Sequence, residues 1–471
     1  MLTNLLTRLL TAALIATALH AQPVPVLGDW QGTLNAGPMK LRVAFHIKPN
    51  AANGLTATLD SMDQNAMGIP VQDATYTGRK LTMKLAALNA VFEGSLNAQG
   101  TEIEGTFTQG SALPLTLRRQ ETVAAARRPQ TPKAPFPYQA VDVSFESAGT
   151  RLAGTLTIPR GEGPFPSAIL ITGSGPQDRD ETLFGHKPFW VIADALSRSG
   201  IAVLRLDDRG VGGSEKSTGD LTMDGMASDV LAAVRFLKSR REVDPKCIGV
   251  IGHSEGGLVG PLAATRSTDI SFVVMLAGPG VKGADLLRKQ AELVGKAAGS
   301  AGDAMAFERR IQNIIFGVLE TEPDPALARQ KMRDEYLRFR SGLPEQAQKL
   351  VNTPDIDAKL DSEFRKATSS EIRLLILSNP REVLKQVKVP VLALNGSRDI
   401  QVQPEQNLPA IAAALAEGGN PDYTVTVMPG LNHLFQSCRQ CSIAEYGELE
   451  ETVAPAVLKV MTDWILRHTR P

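Results

Sequence analysis

Between Trp30 and Arg118, apolar residues recur at every second position in short runs. In "MKLRVAFHI", for example, Leu41, Val43, Phe45 and Ile47 would all face one way. Similar runs follow in "GLTATLD", "KLTMKLA", "AVFEGSLN", "EIEGTFT" and "LPLTLRR", separated by turn signals such as Asn53-Gly54 and Gln99-Gly100. The pattern predicts a small all-β domain, an antiparallel barrel or sandwich. After Tyr138 the texture changes. "AVDVSFES" and "RLAGTLTIP" read as a hairpin. Apolar β-type runs ("SAILITG", "GIAVLRLD", "CIGVIGHS", "SFVVMLAGPG", "VPVLALNGSRD", "YTVTVMPG") then alternate with helical segments such as "PFWVIADALSRSG" and "DGMASDVLAAVRFLKSRR". Such alternation predicts an α/β fold with a doubly wound, mainly parallel sheet and helices on both faces. From about Val281 to Lys388 the strands stop and amphipathic helical stretches take over, which is how a lid inserted over the carboxyl edge of a sheet would read.

The predicted organisation is therefore a leader over 1–21, an N-terminal antiparallel β domain over 22–120, a linker over 121–138, and an α/β domain over 139–471 with a helical lid at about 281–388. The linker is assigned from its Pro-, Ala- and Arg-rich, non-periodic composition. The leader has one early Arg, an apolar stretch from Leu9 to Leu19, then small residues and Gln-Pro. This is the layout of a secretory signal peptide cleaved after Ala21 or Ala18, a short buried helix being the other reading. The expected location is periplasmic or extracellular. The apolar stretch is too short to span a bilayer, so no integral membrane segment is expected in the mature chain.

Charge changes the picture little. The 471 residues carry 50 Lys+Arg against 50 Asp+Glu, a balance that argues against nucleic acid as a partner recognised by bulk electrostatics. Three cysteines are too few for a disulfide-built scaffold. Cys438 and Cys441 in "SCRQCS" are expected to bridge in an oxidising compartment, two free thiols being the alternative. No second CxxC or His pair completes a metal site around them, so no metal is expected. Cys247 reads as a small buried hydrophobe.

Candidate chemistry centres on "CIGVIGHSEGGLVG" (Cys247 to Gly260). A buried-type strand stops at a glycine, presents Ser254, and continues into a helix after further glycines. That is the arrangement of a nucleophile elbow. Glycines two before and two after the serine permit a strained turn, and the backbone N–H of Glu255 would point at a developing oxyanion. His253 is expected to point away from the chemistry. Of the six histidines, only His433 and His468 follow Ser254, and His433 lies in a glycine-containing loop after the last strand, in "MPGLNHLF". His433 is the candidate base. Asp399, ending the strand "VPVLALNGSRD", is the candidate acid, with Asp357 and Asp361 as rivals by chain order alone. A second oxyanion N–H is expected from Ser174 in "ITGSGPQDRDE", whose Asp178, Arg179 and Asp180 would brace the loop. "LDDRGVGGS" would shape the pocket floor.

With those pieces placed, residues 138–471 resemble the α/β-hydrolase superfamily. They look most like exported bacterial carboxylesterases that carry "GHSEGG" together with "GSGPQDRDE", "DDRGVGGS", "PVLALNGSRD" and "LNHLF". The resemblance implies Ser254 as nucleophile, Asp399 as acid, His433 as base, and Ser174 and Glu255 as oxyanion amides. It implies hydrolysis of small-molecule carboxylic esters of short to medium acyl chain, without a cofactor. A peptidase, thioesterase or acyltransferase using the same triad, or a binding protein with an inert hydrolase part, are the alternatives. The sequence departs from many relatives at Thr172, where they carry His.

Overall fold

The computed structural model describes residues 25–36, 39–50, 54–61, 66–120, 127–217, 222–299, 302–345, 348 and 356–469. The expected leader and residues 121–126 of the expected linker lie outside them. The chain divides into two compact units, Met1–Val123 and Ala124–Pro471.

The first unit is a nine-stranded antiparallel sheet: β1 (Gly28–Ala36), β2 (Met39–Pro49), β3 (Leu55–Ser61), β4 (Ala66–Val71), β5 (Asp73–Thr77), β6 (Lys80–Leu85), β7 (Ala90–Leu96), β8 (Glu102–Gln109) and β9 (Ser111–Arg119). Strand order is β4-β3-β2-β1-β9-β8-β7-β6-β5, so β1 joins two meanders. The sheet curls until β3 and β5 touch, which makes it nearly barrel-shaped. Alternation decides what fills it: Val43, Phe45 and Ile47 are buried on one face of β2, with Trp30, Leu59, Leu81, Met83 and Phe92 from other strands. Arg119 lies over the Trp30 ring, whose indole N–H donates to the Val26 carbonyl.

The second unit carries an eight-stranded sheet, β10-β11-β13-β12-β14-β15-β16-β17. Strands β10 (Tyr138–Ser147) and β11 (Thr150–Pro159) form the expected hairpin. Strand β11 runs antiparallel to β13 (Ala202–Leu206). From β13 onward all pairings are parallel, through β12 (Phe165–Ile171), β14 (Val243–His253), β15 (Phe272–Leu276), β16 (Val391–Gly396) and β17 (Tyr423–Met428). Strands β15 and β16 are wholly buried, as are β12 from Ser167 and β14 from Ile248 onward, which is why these stretches read as continuous apolar runs.

Helices α1 (Pro188–Arg198), α2 (Met223–Lys238) and α3 (Gly256–Arg266) cross between the early strands. The insertion between β15 and β16 holds α4 (Gly283–Ala297), α5 (Gly302–Thr321), α6 (Pro325–Ser341), α7 (Ile356–Ala367), α8 (Ser370–Leu377) and α9 (Pro380–Leu384). Several of these helices close on a small apolar core of their own around Phe316, Met332, Tyr336 and Phe364. Helices α10 (Pro404–Glu417) and α11 (Pro455–Thr469) complete the layers. One core packs α2, α3 and α10 on one face of the sheet; α1 and α11 cover the other, where Phe272 meets Trp464. Among the described residues no helix is long and apolar enough to cross a membrane.

Candidate active site

Strand β14 ends at His253 and α3 begins at Gly256, so the chain reverses within two residues. The reversal forces Ser254 to φ +51°, a left-handed conformation that non-glycine residues adopt rarely and at a cost of about 1–3 kcal/mol. The flanking glycines make it feasible. A Cβ on Gly252 would sit 2.0 Å from the Gly256 carbonyl oxygen, and one on Gly256 would sit 2.3 Å from the Ile171 carbonyl oxygen. The Ser254 N–H donates to the Leu276 carbonyl (2.8 Å), and its own carbonyl accepts from Gly257 N–H (2.9 Å). Helix α3 then starts with Glu255, whose backbone is already helical.

Asp399 and His433 come together from the loops after β16 and β17. His433 Nδ1 lies 2.8 Å from Asp399 Oδ2, and both side chains are buried. The other carboxylate oxygen accepts from the N–H groups of Gln401 (2.8 Å) and Val402 (2.9 Å), which fixes the carboxylate in place. An ionised carboxylate only accepts, so His433 Nδ1 carries the proton and Nε2 is left with its lone pair. The histidine loop is tied by Asn432, whose side-chain oxygen accepts from Leu434 and Gln436 N–H. The rival Asp361 lies in α7, in an ion pair with Arg333. His468 lies on α11, against Trp464 and Asp422.

The loop after β12 passes over the serine. A Cβ on Gly173 would lie 3.4 Å from Ser254 Cβ. Gly173 N–H donates to Glu181 Oε1 (2.7 Å), leaving Ser174 as the next amide in the loop. Asp208, at the carboxyl end of β13, accepts from Thr172 Oγ1 (2.9 Å) and Gln177 N–H (2.9 Å) and so pins both ends of that loop. Thr172 thus uses its hydroxyl to hold the loop. Burial, reinforced by the Glu181 and Glu255 carboxylates, pushes Asp208 up to about 7. Asp207 pairs with Arg179 (2.6 Å), while Asp180 pairs with Lys187 (2.9 Å) and with Arg205.

A cavity of about 620 Å³ opens beside the elbow. Its wall includes Thr172, Gly175 and Pro176 of this loop, Glu255, Asp207 to Arg209, Leu206, Met226 and Val230, with Ser369 and Ser370 from the insertion. Cys438 and Cys441, just beyond His433, are disulfide-bonded, and Cys247 is half-buried with its thiol near the Thr469 carbonyl.

Two groups escape a reading from sequence. His253 does not point away: its ring lies 4.9 Å from that of His433, and its Nε2 is 3.2 Å from the His433 carbonyl oxygen. Its Nδ1 meets Glu181 Oε1 at 2.9 Å. Glu181 sits 72 residues upstream, and the one local hint is its place at the end of "GPQDRDE".

Residues 189–437 match the family described as serine aminopeptidase, S33. The chain is 30% identical over 337 residues to esterase EstD of Thermotoga maritima, covering 70% of this chain and 71% of that protein. Solved structures it resembles include esterase Pf2001 of Pyrococcus furiosus (18% identity, TM-score 0.40, 70% of this chain and 90% of that one). Another is Est1E of Butyrivibrio proteoclasticus (17% identity, TM-score 0.39, 69% and 98%). The chain belongs to the serine aminopeptidase (S33) family of α/β-hydrolases, as a carboxylic ester hydrolase related to esterase EstD.

Proposed function

We propose that this serine hydrolase cleaves small-molecule esters of short to medium acyl chain through Ser254, His433 and Asp399. The observation that carries the reading is the buried 2.8 Å contact between His433 Nδ1 and an Asp399 carboxylate whose other oxygen is already held. It sets the tautomer in which Nε2 can take a proton. Ser254 Oγ attacks the ester carbonyl as its proton passes to His433 Nε2, and Asp399 stabilises the imidazolium that forms. The tetrahedral oxyanion is held by the backbone N–H groups of Ser174 and Glu255. The C–O bond to the alcohol breaks, and the alcohol leaves with the proton from His433. Water then attacks the acyl-enzyme by the same route, and the acid departs.

The cavity beside the elbow, about 620 Å³ and walled in large part by apolar side chains, suits the acyl group of a small or medium ester better than a polymer. A second reading rests on the same wall. Glu255 and, where it ionises, Asp208 would attract an ammonium group, which favours amino-acid esters or a peptide amino terminus as competing substrates above about pH 7.

The test is hydrolysis of p-nitrophenyl esters from acetate to palmitate, beside aminoacyl p-nitroanilides, by the mature chain and by Ser254→Ala. The expected result is a short- to medium-chain optimum that the substitution lowers by about 10⁴-fold or more. Activity retained in Ser254→Ala would overturn the assignment, and turnover of the anilides alone would move the substrate to peptides. Export is part of the same proposal: the amino terminus of protein recovered outside the cytoplasm should begin after Ala21 or Ala18. The Cys438–Cys441 disulfide suits that location.

A further inference from the structure

We propose that His253 is a positioning residue held doubly protonated, an imidazolium that ties the oxyanion loop to the backbone of His433. The inference rests on His433 being the base. It starts from what the two ring nitrogens face. Nε2 is 3.2 Å from the His433 carbonyl oxygen, which can only accept, so Nε2 must donate. Nδ1 is 2.9 Å from Glu181 Oε1, an oxygen that already accepts from Gly173 N–H. With an ionised Glu181, both ring nitrogens have acceptors and both carry protons.

The surroundings favour that state. His253 and Glu181 are both buried, so either charge alone would be expensive and the two together satisfy each other. Burial works against the cation, but the Glu181 carboxylate, the His433 carbonyl and the Asp399 carboxylate outweigh it and raise His253. Glu181, His433 and Asp399 are the titratable groups that face this ring, from the loops after β12, β17 and β16.

Two consequences follow for the chemistry. Glu181 Oε1 holds the amide next to Ser174, and His253 holds the carbonyl of His433, so one ion pair sets the spacing between oxyanion donor and base. A cation 4.9 Å from the His433 ring also opposes protonation of His433 in the resting enzyme.

The experiment has a resting-state arm and a kinetic arm. In full-length Ser254→Ala protein labelled with ¹⁵N-histidine, His253, assigned by elimination from His→Gln variants of the other histidines, should show two protonated ring nitrogens at pH values where an ordinary histidine has lost its second proton. A single protonated nitrogen, with the proton on Glu181, or an ordinary histidine titration, would overturn the proposal. In otherwise wild-type enzyme, His253→Gln removes the cation and leaves the anion, so the acid limb of kcat/KM should move to higher pH. kcat should fall about tenfold with KM little changed. A folded variant whose acid limb stays in place would refute the electrostatic role, and if the variant does not fold the nitrogen spectra decide. Should His433→Ala retain activity, the triad reading fails instead, while the nitrogen spectra still decide the charge state of His253.

Discussion

Asp208→Asn is expected to stabilise the catalytic unit, and to do so only above acid pH. Asp208 is half-buried just after β13, on the wall of the cavity, and its carboxyl is held up to about 7 against an ordinary 3.8. Over that window the folded protein keeps a proton that the unfolded chain has released. Stability tied to this group is therefore fully present below about pH 4 and is lost as pH rises through 7. A shift of about three units corresponds to a ceiling of ~4 kcal/mol. Asparagine cannot ionise, so it avoids that loss. It can also keep both partners by accepting from Gln177 N–H and donating to Thr172 Oγ1, at a repair cost of roughly 1–2 kcal/mol. The variant should thus be more stable than wild type by about 2 kcal/mol at pH 8, and equal or slightly weaker at pH 4. Urea-dependent hydrogen exchange in β14 and β15 peptides reports opening of this unit separately from the β unit. The quantity to follow is the difference between variant and wild type, because other groups titrate equally in both. A difference that stays flat from pH 4 to 8 would show that Asp208 is ionised in the fold, and the argument from burial would fail.

Other perturbations test separate links. Gly252→Ala places a methyl 2.0 Å from the Gly256 carbonyl oxygen, against backbone atoms of Gly256 and Gly257 that cannot rotate away. It should cost about 3 kcal/mol or more, or prevent folding, and abolish fluorophosphonate labelling of Ser254; Gly100→Ala, whose Cβ would meet nothing within 4 Å, should cost about 1 kcal/mol through its positive φ alone. In the β unit, the Asp60 hydrogen bond, against burial and with help from Asp29, raises His46 to about 9. The folded state then holds a proton that the unfolded chain loses above about pH 6.5, so this stabilisation is present below that pH and lost as pH rises through 9. Calorimetry of the β unit should show its melting temperature falling between pH 7 and 10, with a shallower fall in His46→Gln.

What could be read from the sequence was local. Val43, Phe45 and Ile47 announce a strand because alternation is a property of neighbours along the chain. The elbow is legible because its steric demand falls on Gly252 and Gly256, two residues either side of Ser254. Chain order and strand ends suffice to nominate Asp399 and His433, which the fold brings into contact. The insertion is visible because a long helical stretch interrupts the β-type runs. Partners set by tertiary packing were not legible. Nothing near Glu181 says that it will meet His253, and nothing in "LDDRG" says that the first Asp will be buried against Arg179 and the second will hold Thr172 and Gln177. The place of β1 between β2 and β9 is equally invisible, since it depends on pairing residues such as Gln31 and Arg118.

These hidden partners share one physical problem. The carboxyl edge of the sheet gathers the buried Glu181, Asp207 and Asp399 and the half-buried Asp208. Each buried carboxylate must be neutralised or fully hydrogen-bonded. Asp207 is met by the Arg179 guanidinium, Asp399 by two amides and an imidazole, and Glu181 by His253 and one amide. Asp208 receives a hydroxyl and an amide but faces like charges from Glu181 and Glu255. A proton is the remaining way to neutralise it, which is why its pKa rises to about 7 while Arg179 holds Asp207 below the usual range. The loop that carries Ser174 is therefore held at Thr172 and Gln177 by a group that changes charge near neutrality, and beyond it at Arg179 by a paired charge. A response of this loop to pH around 7 is expected to enter through Asp208, from the side of the cavity.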